Sequence, residues 1–361
     1  MKPLVSILIP AYNAETWIAD TIRSAIAQIW PNKEIIIVDD GSTDRTLAVA
    51  RQFESESLRV FSQQNKGAAA ARNTAFSLSQ GDYIQWLDAD DLLAPDKIAR
   101  QMEALEPGAS RRILLSSAWG KFMYRPHRSE FIPTALWADL TPAEFLVHKL
   151  TLRVFMQTAV WLVSRELANA AGPWNTNMLS DDDGEYFCRV LAASSGIRFV
   201  PEAKVYYRSV GTTSLSYVGR SNRKLDAKWG SLKLHMGHLL GLEDNARSRA
   251  ACLRYLQNHL VDFFPFRPDI VEQMHEKAKE LGGELQPPRL PWKYSWITHL
   301  AGWDFAKRVQ LLLPALKWSV IRFWDKMAFR MESRRLEPVD RGHHPQFMSG
   351  TDVHDTRADR A

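Results

Sequence analysis

The sequence of 361 residues holds only two cysteines, Cys188 and Cys252, and neither sits in a CxxC pair or a histidine-rich cluster. A disulfide framework and a thiolate zinc site are therefore excluded, and both residues read as buried free thiols of a reducing cytosol. Long apolar runs are also missing: no uninterrupted stretch is long enough to cross a bilayer. The short run in MKPLVSILIPAYN meets Pro10 without a small-residue cleavage site, so it reads as a first β-strand rather than a signal peptide. Two phosphate-binding fingerprints are absent as well. No GxGxxG follows the first strand and there is no GxxxxGK[ST], which disfavours a dinucleotide dehydrogenase and a P-loop NTPase. No internal repeat is found.

What is present is the composition of a folded soluble protein, 45% hydrophobic and 24% charged. A formal charge of +5 permits binding to phosphate, anionic lipid or nucleic acid without choosing among them. The basic residues lie amid Trp and Leu rather than on an open stripe, so nucleic acid is not expected as a partner. From residue 4, short β-rich runs alternate with longer helical ones: LVSILIP, WIADTIRSAIAQI, EIIIVDD, DRTLAVARQF, LRVFSQ. This order predicts an α/β fold, a mostly parallel sheet with helices on both faces. A helix over 67–79, the strand DYIQWLD, a helix after DDLLAP and a strand in RILLSS continue it. Farther on, AVWLVS reads as a strand and SRELANAAG as a helix ending at Gly172. DDDGEYFCRVLAAS reads as a helix turning Tyr186, Phe187, Val190 and Leu191 inward, and FVPEAKVYYR as extended chain.

The stretch IQWLDADD ends an apolar run on the carboxylates of Asp88, Asp90 and Asp91. Two carboxylates about 4 Å apart repel by roughly 4 kcal/mol at an effective dielectric near 20, so a positive partner is expected between them. Hard Mg²⁺ or Mn²⁺ suits carboxylate oxygens and shares them with substrate phosphates; a helix cap is the plainer reading for Asp91 alone. Loops after the strands of such a sheet share one edge, so Asp39 and Asp40 should converge with Asp88 and Asp90 on one crevice.

The ordered blocks SILIPAYNAETWIADTIRSAIAQIW, EIIIVDDGSTDRT, NKGAAAARNTAF and DYIQWLDADD resemble the nucleotide-sugar-binding half of glycosyltransferase family 2. The resemblance covers roughly residues 4–210 and implies a GT-A fold, inversion at the anomeric carbon and a nucleotide-sugar donor. It further implies that Pro10, Ala11 and Tyr12 border the base pocket, with the Tyr12 ring free to stack. Asp40 would accept the imide N–H of uracil while Asp39 holds the turn, with Asp44 and Thr43 capping the next helix. Arg72 could reach the nucleotide, and Lys66 is either a donor contact or a surface charge. Asp88, Ala89 and Asp90 become the D-x-D motif, with Asp90 the direct ligand of Mn²⁺ or Mg²⁺ and Asp88 on ribose or metal. SDDDGEYFCRV matches the family's acidic helix start, and counting back from Arg189 selects Asp183 as the base, with Asp182 orienting the site. Asp181 reads as a helix N-terminal acid. Tyr207 and Arg208 match a YR element. Where many members then place a His or Ser near the diphosphate, this chain has SVGTTSLS, leaving Arg208, Thr213 or Ser214 for that contact. Trp161, Trp174 and Gln157 line the acceptor side or, for the two Trp residues, pack in the core.

The expected organisation is a GT-A catalytic domain over 1–220, with a nucleotide-sugar half 1–118 and an acceptor half 119–220. A helical accessory region, 221–286, follows. Residues 287–332 form a Trp-rich basic segment, and 333–361 a disordered tail. In that segment Leu316, Val320, Phe323, Trp324, Met327 and Met331 share one helical face and Ser319, Arg322, Lys326 and Arg330 the other. Such a helix either packs on the catalytic domain or lies in a membrane interface, and the aromatic and basic content favours the membrane. The reading is thus a metal-dependent inverting transferase. It would carry a sugar from a UDP-sugar to a glycan or lipid-linked acceptor in surface polysaccharide biosynthesis, at the cytoplasmic face of the membrane. The sugar, the acceptor and the oligomeric state stay open. Its rivals are a non-catalytic nucleotide-sugar or glycan-binding protein and a sugar nucleotidyltransferase.

Overall fold

The apolar runs near the N-terminus become strands because nearly every residue in them is shielded on both faces. β1 (Val5–Ala11) is buried throughout, and β2 (Lys33–Asp39) is buried from Ile35 onward. A computed structural model describes residues 2–106, 108, 110–179, 181–209, 221–288 and 291–336. β3 (Leu58–Ser62) and β4 (Tyr83–Trp86) flank this pair, so that β3, β2, β1 and β4 lie side by side and parallel. The helices α1 (Ile18–Ile26), α2 (Thr46–Arg51) and α3 (Ala68–Leu78) make the crossovers that parallel neighbours require.

The second half of the sheet departs from the parallel expectation. Its strands are β5 (Leu92–Leu93), β6 (Ile113–Phe122), β7 (Leu162–Ser164) and β8 (Gly196–Arg208), with α4 (Lys97–Glu103) between β5 and β6. They complete an 8-stranded sheet in the order β3-β2-β1-β4-β7-β6-β8-β5. β6 and β8 are parallel, whereas β7 runs antiparallel to both β4 and β6, and β5 antiparallel to β8. The three residues of β7 enter the sheet in the reverse direction after α5 (Pro142–Leu152), whose start is fixed by a Thr141–Glu144 capping box. Helices α6 (Arg165–Ala171) and α7 (Asp182–Ala193) then lead to β8.

The region 221–286 is helical as expected: α8 (Asn222–Leu242), α9 (Ala246–Phe263) and α10 (Pro268–Glu280). It does not form a core of its own. Leu225, Trp229, Leu232 and Met236 of α8 and Leu256, Leu260 and Phe263 of α9 belong to the same buried apolar cluster as Ile7, Ile36, Trp86 and Trp161. Both cysteines are buried and free.

The last helix, α11 (Trp292–Leu336), is interrupted at Gly302, whose φ of 78° is outside helical space. It continues past residue 333, where a disordered tail was expected, to Leu336; residues 337–361 lie outside the described residues. Asp325 and Glu332 tie one face of this helix to the segment after β6. Asp325 accepts from the backbone N–H of Tyr124 (3.0 Å) and from Arg125 Nε (2.8 Å), and Glu332 accepts from Arg125 Nη1 (2.8 Å). That acidic face docks on the catalytic part. Val320, Phe323, Trp324, Met327 and Met331 point away from it and are exposed, Trp324 to 66%. The side chain of Leu316 lies outside the described residues. Among the described residues no helix is long and apolar enough to cross a membrane.

Candidate active site

The turn after β4 is built on Asp91. Wholly buried, it accepts from the backbone N–H of Arg208 at the end of β8 (2.7 Å) and from the Gln157 side-chain amide. It is a buried tie between strands rather than a cap for α4, whose N-cap is Asp96. Gln157, expected on the acceptor side, spends its amide on this tie and on the backbone N–H of Ala159 (2.7 Å). Arg208 lies beneath the same turn, 3% exposed. It donates Nε to the backbone oxygen of Asp90 (2.7 Å) and stacks on Trp17 and Phe122. The structure thus seats Arg208 as a support for the D-x-D turn instead of the diphosphate contact anticipated. Thr213 and Ser214 lie outside the described residues.

Packing carboxylates this closely changes their chemistry. Burial, then repulsion from Asp88, pushes the Asp90 carboxyl up to about 7 against the pull of Arg208. Burial also raises Asp91 well above the usual range, aided by Asp90 and Asp88. Asp88 is relieved by Arg72 of α3. This guanidinium, 6% exposed, donates Nη2 to Asp88 Oδ1 and Nη1 to Asp182 Oδ2, both at 2.7 Å, and stacks on Trp174 at 4.3 Å. Motifs far apart in the chain are thereby joined at one point. The ring of Trp174 is buried in an aromatic stack with Tyr186 (4.0 Å between centroids), and Trp161 is equally buried.

Asp183 is half-buried at the start of α7 and shares a cavity of about 690 Å³ with Asp88, Asp181, Asp182 and Tyr207. Burial, followed by repulsion from Asp181 and Asp182, raises its carboxyl to about 7. Asp181 adopts the left-handed region, φ 59°, and curls under the helix start. It accepts from Ser231 of α8, and His235 Nε2 stands 3.4 Å away. His235 Nδ1 pairs with Tyr255 Oη of α9 at 2.9 Å, and burial lowers the imidazole pKa to about 3, so it is neutral at ordinary pH. A Cβ at Gly184 would meet the Asp181 carboxylate and oblige it to move.

At the end of β1, Tyr12 is 51% exposed, whereas Pro10 and Ala11 are buried within the strand. Asp40 is 2% exposed; it accepts from Gln63 Nε2 (2.7 Å) and the backbone N–H groups of Lys66 (3.0 Å) and Gly67 (2.8 Å). These bonds hold the loop before α3, so a base edge would have to use the remaining capacity of Oδ2. Asp39 holds its own turn through Ser42 N–H (3.2 Å). Asp44 accepts from Thr46 N–H (2.9 Å) at the start of α2, while Thr43 N–H binds Asn13 Oδ1 (2.8 Å) instead of capping. The backbone oxygen of Ala89 accepts from Thr21 Oγ1 (3.0 Å). Among the described residues no three His, Cys, Asp or Glu side chains converge on a point that could hold an ion alone. Asp88 and Asp90 nevertheless supply hard oxygens, which suit a cation completed by substrate phosphates and water.

Residues 6–128 match the sequence profile of Glycosyl transferase family 2. The chain carries a family 2 glycosyltransferase domain. One relative is TuaG of Bacillus subtilis (strain 168), by name a teichuronic acid biosynthesis glycosyltransferase. It is 46% identical over 105 residues, which span 28% of this chain and 42% of that protein. The chain thus spans less than half the length of this curated relative. Among solved structures, S. aureus TarS 1-349 in complex with UDP-GlcNAc superposes with a TM-score of 0.60 at 16% identity, covering 78% of this chain and 81% of that one. The mannosyltransferase PcManGT of Pyrobaculum calidifontis, in complex with GDP-Man and Mn2+, gives 0.50 at 16% identity over 94% and 89%. The fold of the family 2 domain and the helices that follow is the GT-A type.

Two groups of residues at this site escaped the sequence motifs. The bridging role of Arg72 depends on partners in distant segments, and the cavity wall from α5, α8 and α9 comes from helices without a motif.

Proposed function

We propose that this protein is an inverting glycosyltransferase that moves a sugar from a UDP-sugar to a hydroxyl of a glycan or lipid-linked acceptor during surface polysaccharide assembly. The observation that carries the reading is the common cavity of Asp88 and Asp183, braced by the Arg72 bridge to Asp182. A relative named for teichuronic acid biosynthesis and a neighbour solved with UDP-GlcNAc support the polymer and donor classes.

In this mechanism Tyr12 stacks on the base, Asp40 contacts its edge and the small residues before Arg72 admit the nucleotide backbone. Asp90 and Asp88 would hold Mn²⁺ or Mg²⁺, which when bound neutralises the diphosphate leaving group. Asp183 removes the proton from the acceptor hydroxyl, and a carboxyl near 7 is tuned for that work at neutral pH. Asp182, pinned by Arg72, keeps the start of α7 aligned with the D-x-D turn. Residues 1–220 form the catalytic unit in this reading, with 221–286 closing its acceptor side. The outward face of α11, flanked by Lys317, Lys326 and Arg330, would rest in the headgroup region of the cytoplasmic leaflet.

The test is a UDP-release screen against a panel of nucleotide-sugars with Mn²⁺ or Mg²⁺, repeated after chelation. Metal-dependent release from one donor supports the proposal. Donor binding without release across a broad acceptor panel would favour a binding protein, and pyrophosphate release from UTP a nucleotidyltransferase.

A further inference from the structure

The cavity around Asp183 is lined by charges of both signs: Asp88, Asp181, Asp182 and Asp183 on one hand, and Lys149, Arg153 and Lys228 with Lys66 on the other. Arg153 follows the last residue of α5, four positions after Lys149, and Lys228 lines the same cavity from α8.

Among the described residues Arg153 and Lys228 share one carboxylate at ion-pair distance. On α9, Asp262 Oδ2 lies 2.7 Å from Lys228 Nζ, 3.9 Å from Arg153 Nη2 and 2.7 Å from His259 Nδ1, so a single carboxylate serves two cations and an imidazole. Half-buried Lys149 has no carboxylate within ion-pair reach among the described residues; its polar contact is Cys188 Sγ at 4.0 Å. Burial raises that thiol to about 11, so it brings no charge at neutral pH. Asp181 and Asp183 act on the ammonium only from farther away, and Asp181 already accepts from Ser231. Arg153 adds a backbone observation. Its φ of 54° is left-handed, which costs a residue with a side chain roughly 1–2 kcal/mol and would suit Gly or Asn better. Arg153 lines the cavity, and its guanidinium donates Nη1 to the backbone oxygen of Asn258 (3.0 Å).

We infer that this wall is an acceptor subsite for an anionic group, a sugar carboxylate or a phosphate, held by Lys149, Arg153 and Lys228 while the neighbouring hydroxyl faces Asp183. The inference rests on the transferase reading for its acceptor but not for its measurement. An acceptor with that charge is oriented in the cavity, its anion drawn to these cations and repelled from the aspartates. The wall therefore selects both acceptor class and attacking face.

Calorimetry on the full chain with UDP and Mn²⁺ tests it, using p-nitrophenyl β-glucoside, its glucuronide and its 6-phosphate as probes. Either anionic probe should bind at least tenfold more tightly than the glucoside, and the tighter of the two identifies carboxylate or phosphate as the source. Lys149→Met should erase that preference and Lys149→Arg retain it, with melting temperature as the control for folding. Lys228→Met supplies the second variant if Lys149→Met is unstable. Equal affinities for the three probes, no binding by any of them, or a preference that survives both Met variants would overturn the inference. Failure of the transferase reading is seen separately, as wild-type protein that releases no nucleoside diphosphate from any donor.

Discussion

Asp88 and Asp182 are clasped by one guanidinium, each carboxylate 2.7 Å from a different terminal nitrogen of Arg72. Arg72 is buried while the side chains of Asp88 and Asp182 stay 29% and 23% exposed, and removing the cation leaves both carboxylates unpaired beside Asp183. Arg72→Ala should therefore cost about 3 kcal/mol at most, the lower end for a buried ion pair that loses one partner. Arg72→Lys should recover only part of this, since an ammonium lacks the planar fork that reaches both acids. Urea denaturation of the three proteins gives the ranking; an Arg72→Ala midpoint equal to wild type would show the clasp to be incidental.

Asp183→Asn should bind donor as the wild type does and lose transfer by 10²- to 10⁴-fold, the usual contribution of a positioned base. Wild-type turnover in this variant would remove the assignment of the base.

The pH profile follows from the same group. With a carboxyl near 7, transfer by the wild type should fall about tenfold per pH unit below that value, as the base becomes protonated. Stability carries the opposite sign. A raised carboxyl binds its proton more tightly in the folded chain, so its ionisation opposes folding as pH climbs from the ordinary Asp range to about 7. Melting curves should show Asp183→Asn gaining on wild type at pH 8 relative to pH 4.

Chelation should abolish UDP release and Mn²⁺ or Mg²⁺ restore it, while Asp90→Ala should lose metal-dependent donor binding. Undiminished turnover in the presence of a strong chelator would leave Asp88 and Asp90 without the proposed role.

On α11, Phe323→Glu combined with Trp324→Glu should reduce co-sedimentation with vesicles containing anionic lipid and leave the melting temperature within a degree or so of wild type, because both side chains are exposed. Equal vesicle binding by variant and wild type would assign the face to some other contact.

The donor half was legible because its signals are local. Buried strands such as VSILIPA are almost continuously apolar, and the PAYN, VDDGSTD and DAD blocks each sit where a parallel strand ends. The antiparallel entry of β7 was not, since three residues carry no directional signal. Arg208 shows the limit of motif matching: the YR element was found, but the direction of its side chain depends on Asp91, Trp17 and Phe122, supplied by other segments. Lys97 of α4 bears no local mark of its setting: it is fully buried against Gln85, and burial pulls its pKa well below the usual lysine range. On α11 the sequence set the apolar face apart but did not mark Asp325 and Glu332, whose docking depends on Arg125 in a distant segment.

The apolar cluster that runs without a break from β1 into α8 and α9 has an evolutionary corollary. Helices α8 and α9 cannot be exchanged between relatives as a cassette, since any junction would cut through Trp229, Leu232 and Leu256 and expose the interior on both sides. A change of acceptor in this lineage is more accessible through single replacements on the cavity lining than by recombination, which ties the rate at which specificity can drift to the tolerance of a few wall positions.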